Sequence, residues 1–153
     1  MFIETAVDFM RFYADKCHHG KEEDILFNSL VGKPLTDSLR ERAAQLTREH
    51  VVGRRSVGEL SATRERYLAG DSGAVADAVR VLERIAEFYP DHIKREDAGF
   101  FIPLMDYYSK EEQDKMLEEF WEYDRMLIHE KYRLTVEGLL AKQARTQEAA
   151  VSG

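Results

Sequence analysis

Long helical segments, separated by very few helix-breaking residues, limit this chain to an all-α fold. Apolar residues recur three and four positions apart through four long stretches, which is the pattern of helices that bury one face. Gly32 and Pro34 end the first stretch, and the glycine-containing loop 69–73 ends the second. The 153 residues include only 9 glycines and 3 prolines, a composition that favours helices over a sandwich of short strands.

The periodicity predicts four helices, at about 2–30, 36–68, 74–108 and 109–142. Pro90 lies inside the third and lacks a backbone donor, so we expect a kink or a break just before His92. Ser109 and Glu112 have the spacing of a capping box, in which each side chain pairs with the backbone N–H of the other residue. This pair predicts a well-defined start for the fourth helix.

Short connections between these helices place neighbouring helices antiparallel. We therefore expect an antiparallel four-helix bundle over 1–147 and a flexible C-terminal tail over 148–153, where the residues are small or polar. The fourth helix carries apolar residues on two faces, which leaves a homodimer open.

Charge and hydropathy exclude several classes of partner. A net charge of −7 argues against a nucleic-acid or anionic membrane surface, because both require a basic footprint. No apolar stretch approaches the roughly 18 residues that span a bilayer, and the N-terminus lacks the pattern of a signal peptide. Cys17 is the only cysteine and cannot form an internal disulfide. We expect a cytoplasmic protein without nucleic-acid or membrane partners.

Two distant segments, 19–24 and 92–97, share the pattern H-x-K-x-E-D. Each places a histidine four residues before a glutamate, so that both side chains lie on one helical face with Cβ atoms about 5–6 Å apart. An imidazole and a carboxylate in this arrangement can bind one metal ion or a bridged pair. The register of the repeat selects two such pairs, His19 with Glu23 and His92 with Glu96.

The spacing alone also selects His18 with Glu22, and pairs of this kind arise by chance in an acidic chain. We expect His18 not to be a ligand, because adjacent residues of an α-helix point about 100° apart. Glu22 and Glu130 are weaker alternatives as ligands, and we expect them on solvated faces. The alternative for the two repeated pairs is that they too are solvated and bind nothing.

Burial argues against that alternative. Phe12, Leu26 and Leu30 share the stripe of the first pair, and a similar apolar stripe leads onto the second. Both pairs therefore point towards the core, where an uncompensated charge costs several kcal/mol. A bound cation would compensate these charges.

His50 lies on the apolar stripe of the second helix. A lone histidine on such a stripe is more often a hydrogen-bonded core residue, but here it faces the same core as two His/Glu pairs.

Nitrogen and oxygen ligands without thiolate suit iron, manganese or zinc, and two carboxylates that can bridge indicate two metal ions. The Glu-x-x-His motif of ferritin-like di-iron bundles does not occur in this chain.

The combined motifs resemble those of the hemerythrin HHE cation-binding family. The resemblance covers roughly residues 2–104 and rests on 17–27, on the pair Glu49 and His50, and on 92–97 followed by 100–103. It implies a di-iron centre in an antiparallel bundle, in which two carboxylates and an oxo or hydroxo group bridge the irons. By position, the bridges would be Glu23 and Glu96, and the terminal ligands His19, His50 and His92. Manganese or zinc is less favoured.

The chain departs from the family pattern in two places. Arg54 stands one turn after His50, where the oxygen carriers have a second histidine. Family members also usually begin with a helix that carries another liganding histidine, and this chain starts where their second helix would. His129 lies beside an acidic residue in an apolar run, so a permuted bundle in which the C-terminal helix replaces the usual first helix would make His129 the sixth ligand. A surface position for His129 is the alternative.

The resemblance implies a protein that binds dioxygen, nitric oxide or peroxide, for binding or sensing. The alternative from the enzyme class is a di-iron enzyme of oxidative or nitrosative stress defence, which turns over peroxide or nitric oxide or handles iron for repair. A third alternative is a metal-free helical interaction module, which the acidic surface and the long fourth helix would suit.

Overall fold

The computed structural model describes residues 2–125 and 128–151, with the backbone alone at 128, 130 and 146–151. Within these ranges the chain forms five helices and no strand, and none of the helices is long and apolar enough to cross a membrane. The helices are α1 (2–29), α2 (Asp37–Leu68), α3 (74–107), α4 (Lys110–Tyr123) and α5 (Ile128–Val151). The prediction of an all-α fold is confirmed.

The first helix is largely a π-helix. It begins as an α-helix at Phe2–Phe9 and continues as π-helical segments at Met10–His19 and Glu22–Phe27. Hydrogen bonds from residue i to i+5 widen each turn, so successive side chains project at a smaller angle than in an α-helix. The side-chain register of this helix therefore differs from the one that an α-helical pattern predicts.

Pro90 does not break the third helix, which runs continuously over Ala74–Glu96. The expected break before His92 is therefore wrong, and the alternative, a kink at this point, stays a prediction. Pro90 and Ala86, the residue whose carbonyl loses its partner, are both exposed, so water can satisfy that carbonyl. Beyond Glu96 the helix becomes π-helical and then ends in short α- and 3₁₀-helical turns, at Asp97–Phe101, Ile102–Leu104 and Met105–Tyr107.

The predicted fourth helix is two helices. Its start is confirmed, because Ser109 N–H donates to Glu112 and Glu112 N–H donates to the Ser109 hydroxyl. The helix then ends at Tyr123, and Asp124 begins a turn before α5. The carboxylate of Asp124 accepts hydrogen bonds from side chains of α1, which holds this turn against α1. Of the predicted flexible tail 148–153, residues up to Val151 are helical and 152–153 lie outside the described residues.

Two apolar clusters lie at opposite ends of the bundle, and their members show in which direction each helix runs. One joins Leu26, late in α1, to Leu39, early in α2. The other joins Val7, early in α1, to Leu60, late in α2. The first cluster also contains Phe100 from the end of α3, and the second contains residues from its start. Helix α2 therefore runs antiparallel to both α1 and α3, as predicted, and a polar band separates the two clusters.

The C-terminal helices α4 and α5 pack along α1. Met116 and Phe120 of α4 lie against the cluster that contains Leu26. In α5, Tyr132 is almost fully buried, and its hydroxyl donates to the backbone oxygen of Asp8 at 3.0 Å and to its carboxylate at 2.5 Å. On the outer face of α4, Trp121 is 69% exposed, and the homodimer stays a prediction.

Removal of the Tyr132 hydroxyl should loosen α5 from the bundle. Tyr132→Phe keeps the ring but leaves the Asp8 carboxylate without this donor, so we expect the free energy of unfolding to fall by about 1 kcal/mol. Chemical denaturation measures the loss, and hydrogen exchange should locate it in α5. Tyr123→Phe is the matched control, because its phenol is 40% exposed and bonds to Asp24 at 3.3 Å. Equal stability of the two variants would contradict this account.

Candidate metal centre

Five ionisable side chains are buried in the polar band between the two apolar clusters. Each is no more than 4% exposed, and all come from α1, α2 and α3. The five residues are His19, Glu22, His50, His92 and Glu96. Burial of this many ionisable groups is costly unless they are paired or coordinate a metal ion. The contacts of these five side chains therefore decide whether they are paired with one another or suited to bind a metal ion.

The outer ring nitrogens of the three buried histidines face carboxylates. His50 Nδ1 lies 2.7 Å from Glu23, His92 Nδ1 lies 2.8 Å from Glu49, and His19 Nδ1 lies 3.4 Å from Asp15. A carboxylate on Nδ1 favours the tautomer with the proton on that atom, which leaves the Nε2 lone pair for a ligand. This carboxylate–histidine arrangement is the one that orients imidazoles in metal sites.

The inner Nε2 atoms converge with the oxygens of two carboxylates. His50 Nε2 lies 3.2 Å from Glu22 Oε2 and 3.5 Å from Glu96 Oε1, and His92 Nε2 lies 2.9 Å from Glu96 Oε1. The rings of His19 and His50 are stacked, with centroids 3.9 Å apart. The three imidazoles and two carboxylates thus enclose one small volume.

His18 completes this group from the other side. Its Nε2 lies 3.3 Å from Glu22 Oε1 and 3.7 Å from Glu96 Oε2, although the side chain is 45% exposed. Ligand atoms able to hold a metal ion therefore form two adjacent groups, His19 with His50 and His92, and His18 with Glu22 and Glu96. Each glutamate faces histidines of both groups.

Four buried atoms of this volume have no hydrogen-bond partner among the described residues: His19 Nε2, His92 Nε2 and both carboxylate oxygens of Glu22. Several lie within 3.3 Å of a neighbouring group, but the angles do not suit hydrogen bonds. Each such atom costs about 1–3 kcal/mol if it stays unsatisfied. A cation bound among these residues would give the four atoms the partner that they lack, and the residues present therefore fit a bound cation.

The charges in this volume are strongly coupled. Burial lowers the pKa of His19 to about 2, assisted by the neighbouring histidines. Burial also opposes the charged form of His50, but the surrounding carboxylates of Glu22, Glu96 and Glu23 outweigh it and raise the pKa of His50 to about 9. Without a metal ion, the imidazole of His19 is therefore neutral at pH 7, whereas the imidazole of His50 is protonated on both nitrogens and positively charged.

Of the six residues that the sequence selects, the structure brings four together: His19, His50, His92 and Glu96. Glu23 is not among them. Its side chain is 28% exposed and contacts His50 Nδ1 and the guanidinium of Arg54, while Glu22 occupies the inner position. The wide π-helical turn of α1 explains the change, because it shifts the register and lets His18 and His19 both reach the centre.

His129 also lies apart from the two ligand groups. Its Nε2 is 2.8 Å from Asp124 and 3.8 Å from Cys17, because α5 packs along α1 on the side that carries Cys17. Helix α5 does pack along α1, but it places His129 beside Cys17 and Asp124 and not with the two ligand groups of the centre. The side chain of Glu130, the weaker alternative, lies outside the described residues.

Sequence reasoning assigned no role in the site to Asp15 and Glu49, two of the three carboxylates that contact the outer nitrogens. Asp15 lies four residues before His19, so its helical spacing contained a usable signal. Glu49 of α2 lies 2.8 Å from His92 of α3, and spacing within one helix cannot reveal a contact between two helices. Arg54 binds Asp15 at 2.6 Å and Glu23 at 2.9 Å, and it thereby fixes both carboxylates at the outer edge of the site.

An open, mainly apolar cavity of about 760 Å³ leads to the centre between α1 and α3. Phe9, Met10 and Ile85 are among the apolar residues that line it, and His19 and His92 line it too. A small uncharged molecule can therefore reach the histidines through a mainly apolar cavity.

Comparison with known proteins agrees with this arrangement. The sequence model of the hemerythrin HHE cation binding domain matches residues 3–102, which contain all the buried ligand groups described above. No curated protein and no solved structure matches the chain. Because the match covers more than half of the sequence, the chain belongs to the hemerythrin HHE cation-binding family.

Proposed function

We propose that this protein holds a pair of iron ions in the middle of its bundle and uses them to bind dioxygen or a related small molecule, nitric oxide or peroxide, as a binding or sensing protein. The observation that carries the proposal is the position of Glu22 and Glu96. Each carboxylate has one oxygen facing His18 and one facing His50. Carboxylates placed in this way can bridge two metal ions.

The proposed ligand set follows from the contacts of the inner atoms. Glu22 and Glu96 would bridge the two metal ions, and His18, His19, His50 and His92 would be the terminal ligands. Glu22 and His18 take the places that the sequence pattern assigned to Glu23 and His129. Imidazole and carboxylate ligands suit iron, manganese or zinc, and family membership favours iron among them.

The protein's own groups would orient the ligands and control access. Glu23 and Glu49 hold the imidazoles of His50 and His92 by their outer nitrogens, which keeps the inner nitrogens directed at the metals. The apolar cavity admits a small uncharged molecule and disfavours ions. A pair of ferrous ions here would supply electrons and open coordination positions to that molecule.

Reversibility tests the binding role. The protein should be loaded with Fe²⁺ without oxygen, exposed to dioxygen or nitric oxide, and then returned to anaerobic conditions while its absorption spectrum is recorded. We expect a spectral change that saturates at one small molecule per pair of irons and reverses on removal. Failure to take up iron would contradict the proposal and favour a metal-free interaction module.

A second function, turnover of peroxide or nitric oxide in stress defence, is favoured by Tyr89. Its ring centroid lies 6.0 Å from that of His92, it lines the same cavity, and burial raises the pKa of its phenol. A protonated phenol beside the ligand site can donate a hydrogen bond or a proton to a bound molecule. Repeated consumption of peroxide with a reductant, slowed in Tyr89→Phe at unchanged iron content, would favour this enzyme over a binding protein.

A matched pair of substitutions tests the bridging assignment. Glu22→Gln removes the charge of a buried bridge, so we expect the paired metals to be lost. Glu23→Gln keeps an acceptor for His50 Nδ1, so we expect two metals per chain to remain, with a modest loss of affinity. Iron analysis after anaerobic reconstitution measures both. The reverse result, loss in Glu23→Gln alone, would contradict the assignment.

Metal binding should strengthen with pH. The metal-free protein holds a proton on His50 below a pKa of about 9, and a metal ion must displace it. The affinity should therefore rise between pH 6.5 and 8.5, by up to about tenfold per pH unit for one displaced proton. Calorimetric titration with Mn²⁺ in two buffers of different ionisation enthalpy measures the proton release. Binding without proton release at pH 7 would contradict this prediction.

A further inference from the structure

A second cluster of metal-ligating side chains lies outside the buried centre, where α1 meets the turn between α4 and α5. It consists of Cys17, Asp124 and His129, which supply sulfur, oxygen and nitrogen atoms within 4.8 Å of one another. The Cys17 thiol lies 2.8 Å from Asp124 Oδ1 and 3.8 Å from His129 Nε2, and that Nε2 lies 2.8 Å from Asp124 Oδ2. The proposed function uses none of these three groups.

Their separations approach those of a tetrahedral site. Metal–ligand bonds of about 2.0–2.3 Å at tetrahedral angles place the ligand atoms about 3.3–3.6 Å apart. The separation of 3.8 Å between Cys17 and His129 is close to that value. The two hydrogen-bonded separations of 2.8 Å would have to lengthen by less than about 1 Å when a metal ion replaces the bridging protons.

The surroundings leave room for such an ion. Cys17 is buried, whereas the side chain of His129 is 47% exposed, so the cluster opens to solvent on one side and a water molecule can be the fourth ligand. The ring of Tyr13 contacts the His129 ring edge-on at 4.8 Å and orients it. Lys21 neutralises Asp124 in the metal-free protein, and its long, flexible chain lets the ammonium group move outwards.

We propose that Cys17, Asp124 and His129 form a separate site for a single borderline-soft divalent cation of the Zn²⁺ class, which fastens the start of α5 to α1. The combination of thiolate, imidazole and carboxylate selects such an ion over magnesium or calcium. The site is distinct from the paired centre because the Cys17 thiol contacts Asp124 and His129, whereas the neighbouring His18 faces Glu22 and Glu96.

Cobalt titration tests this site with a signal that the paired centre cannot produce. Cys17 is the only cysteine in the chain, so a thiolate-to-cobalt charge-transfer band in the near-ultraviolet must come from Cys17. We expect the protein to develop this band with one Co²⁺ per chain, and Zn²⁺ to abolish it. Absence of the band after the protein is saturated with Co²⁺ would overturn the proposal.

Three variants distinguish this site from a chance thiol contact. His129→Gln changes a half-exposed side chain and should weaken cobalt binding at the thiol at least tenfold, as should Asp124→Asn. Glu22→Gln is the matched control, which should retain the band although the paired centre is lost. A band of unchanged affinity in His129→Gln would overturn the proposal, because Cys17 would then bind cobalt together with other groups.

Discussion

The structure depends on how the charges of two buried carboxylates are compensated. Glu22 and Glu96 are 4% and 2% exposed, and they lie between two apolar clusters that would otherwise exclude them. Protein donors leave Glu22 unsatisfied, because both of its carboxylate oxygens lack a hydrogen-bond partner among the described residues. A bound metal pair would compensate these buried charges, which is the physical reason to propose the metal centre in the middle of the bundle and not at its surface.

Helix geometry decides which residues meet these carboxylates. An α-helical α1 would present His19 and Glu23 on one face and turn His18 away from it. The π-helical segments at Met10–His19 and Glu22–Phe27 widen the turns, so two adjacent histidines reach the centre and Glu22 takes the inner position. Glu23 remains useful from outside, because it holds the outer nitrogen of His50. One change in helix type thus changes both the ligands and their supports.

Much of this arrangement could be predicted from the sequence, because it depends on spacing within helices. The three antiparallel helices, the capping box at Ser109 and the positions of His50, His92 and Glu96 all follow from local patterns. Local patterns failed where the decisive contact joins distant residues. Helix α4 ends near Asp124, whose carboxylate accepts hydrogen bonds from Cys17 and Lys21 in α1. The hydrophobic periodicity of the C-terminal region cannot predict these contacts with a distant helix.

The most direct test of the paired centre is anomalous X-ray scattering from crystals of the iron-loaded protein, with data collected at the iron absorption edge. The account predicts two iron peaks per chain, about 3.5–4 Å apart, each in contact with both Glu22 and Glu96. His18, His19, His50 and His92 should supply the remaining protein ligands. A single peak in the bundle, or iron bound through Glu23 in place of Glu22, would contradict the account.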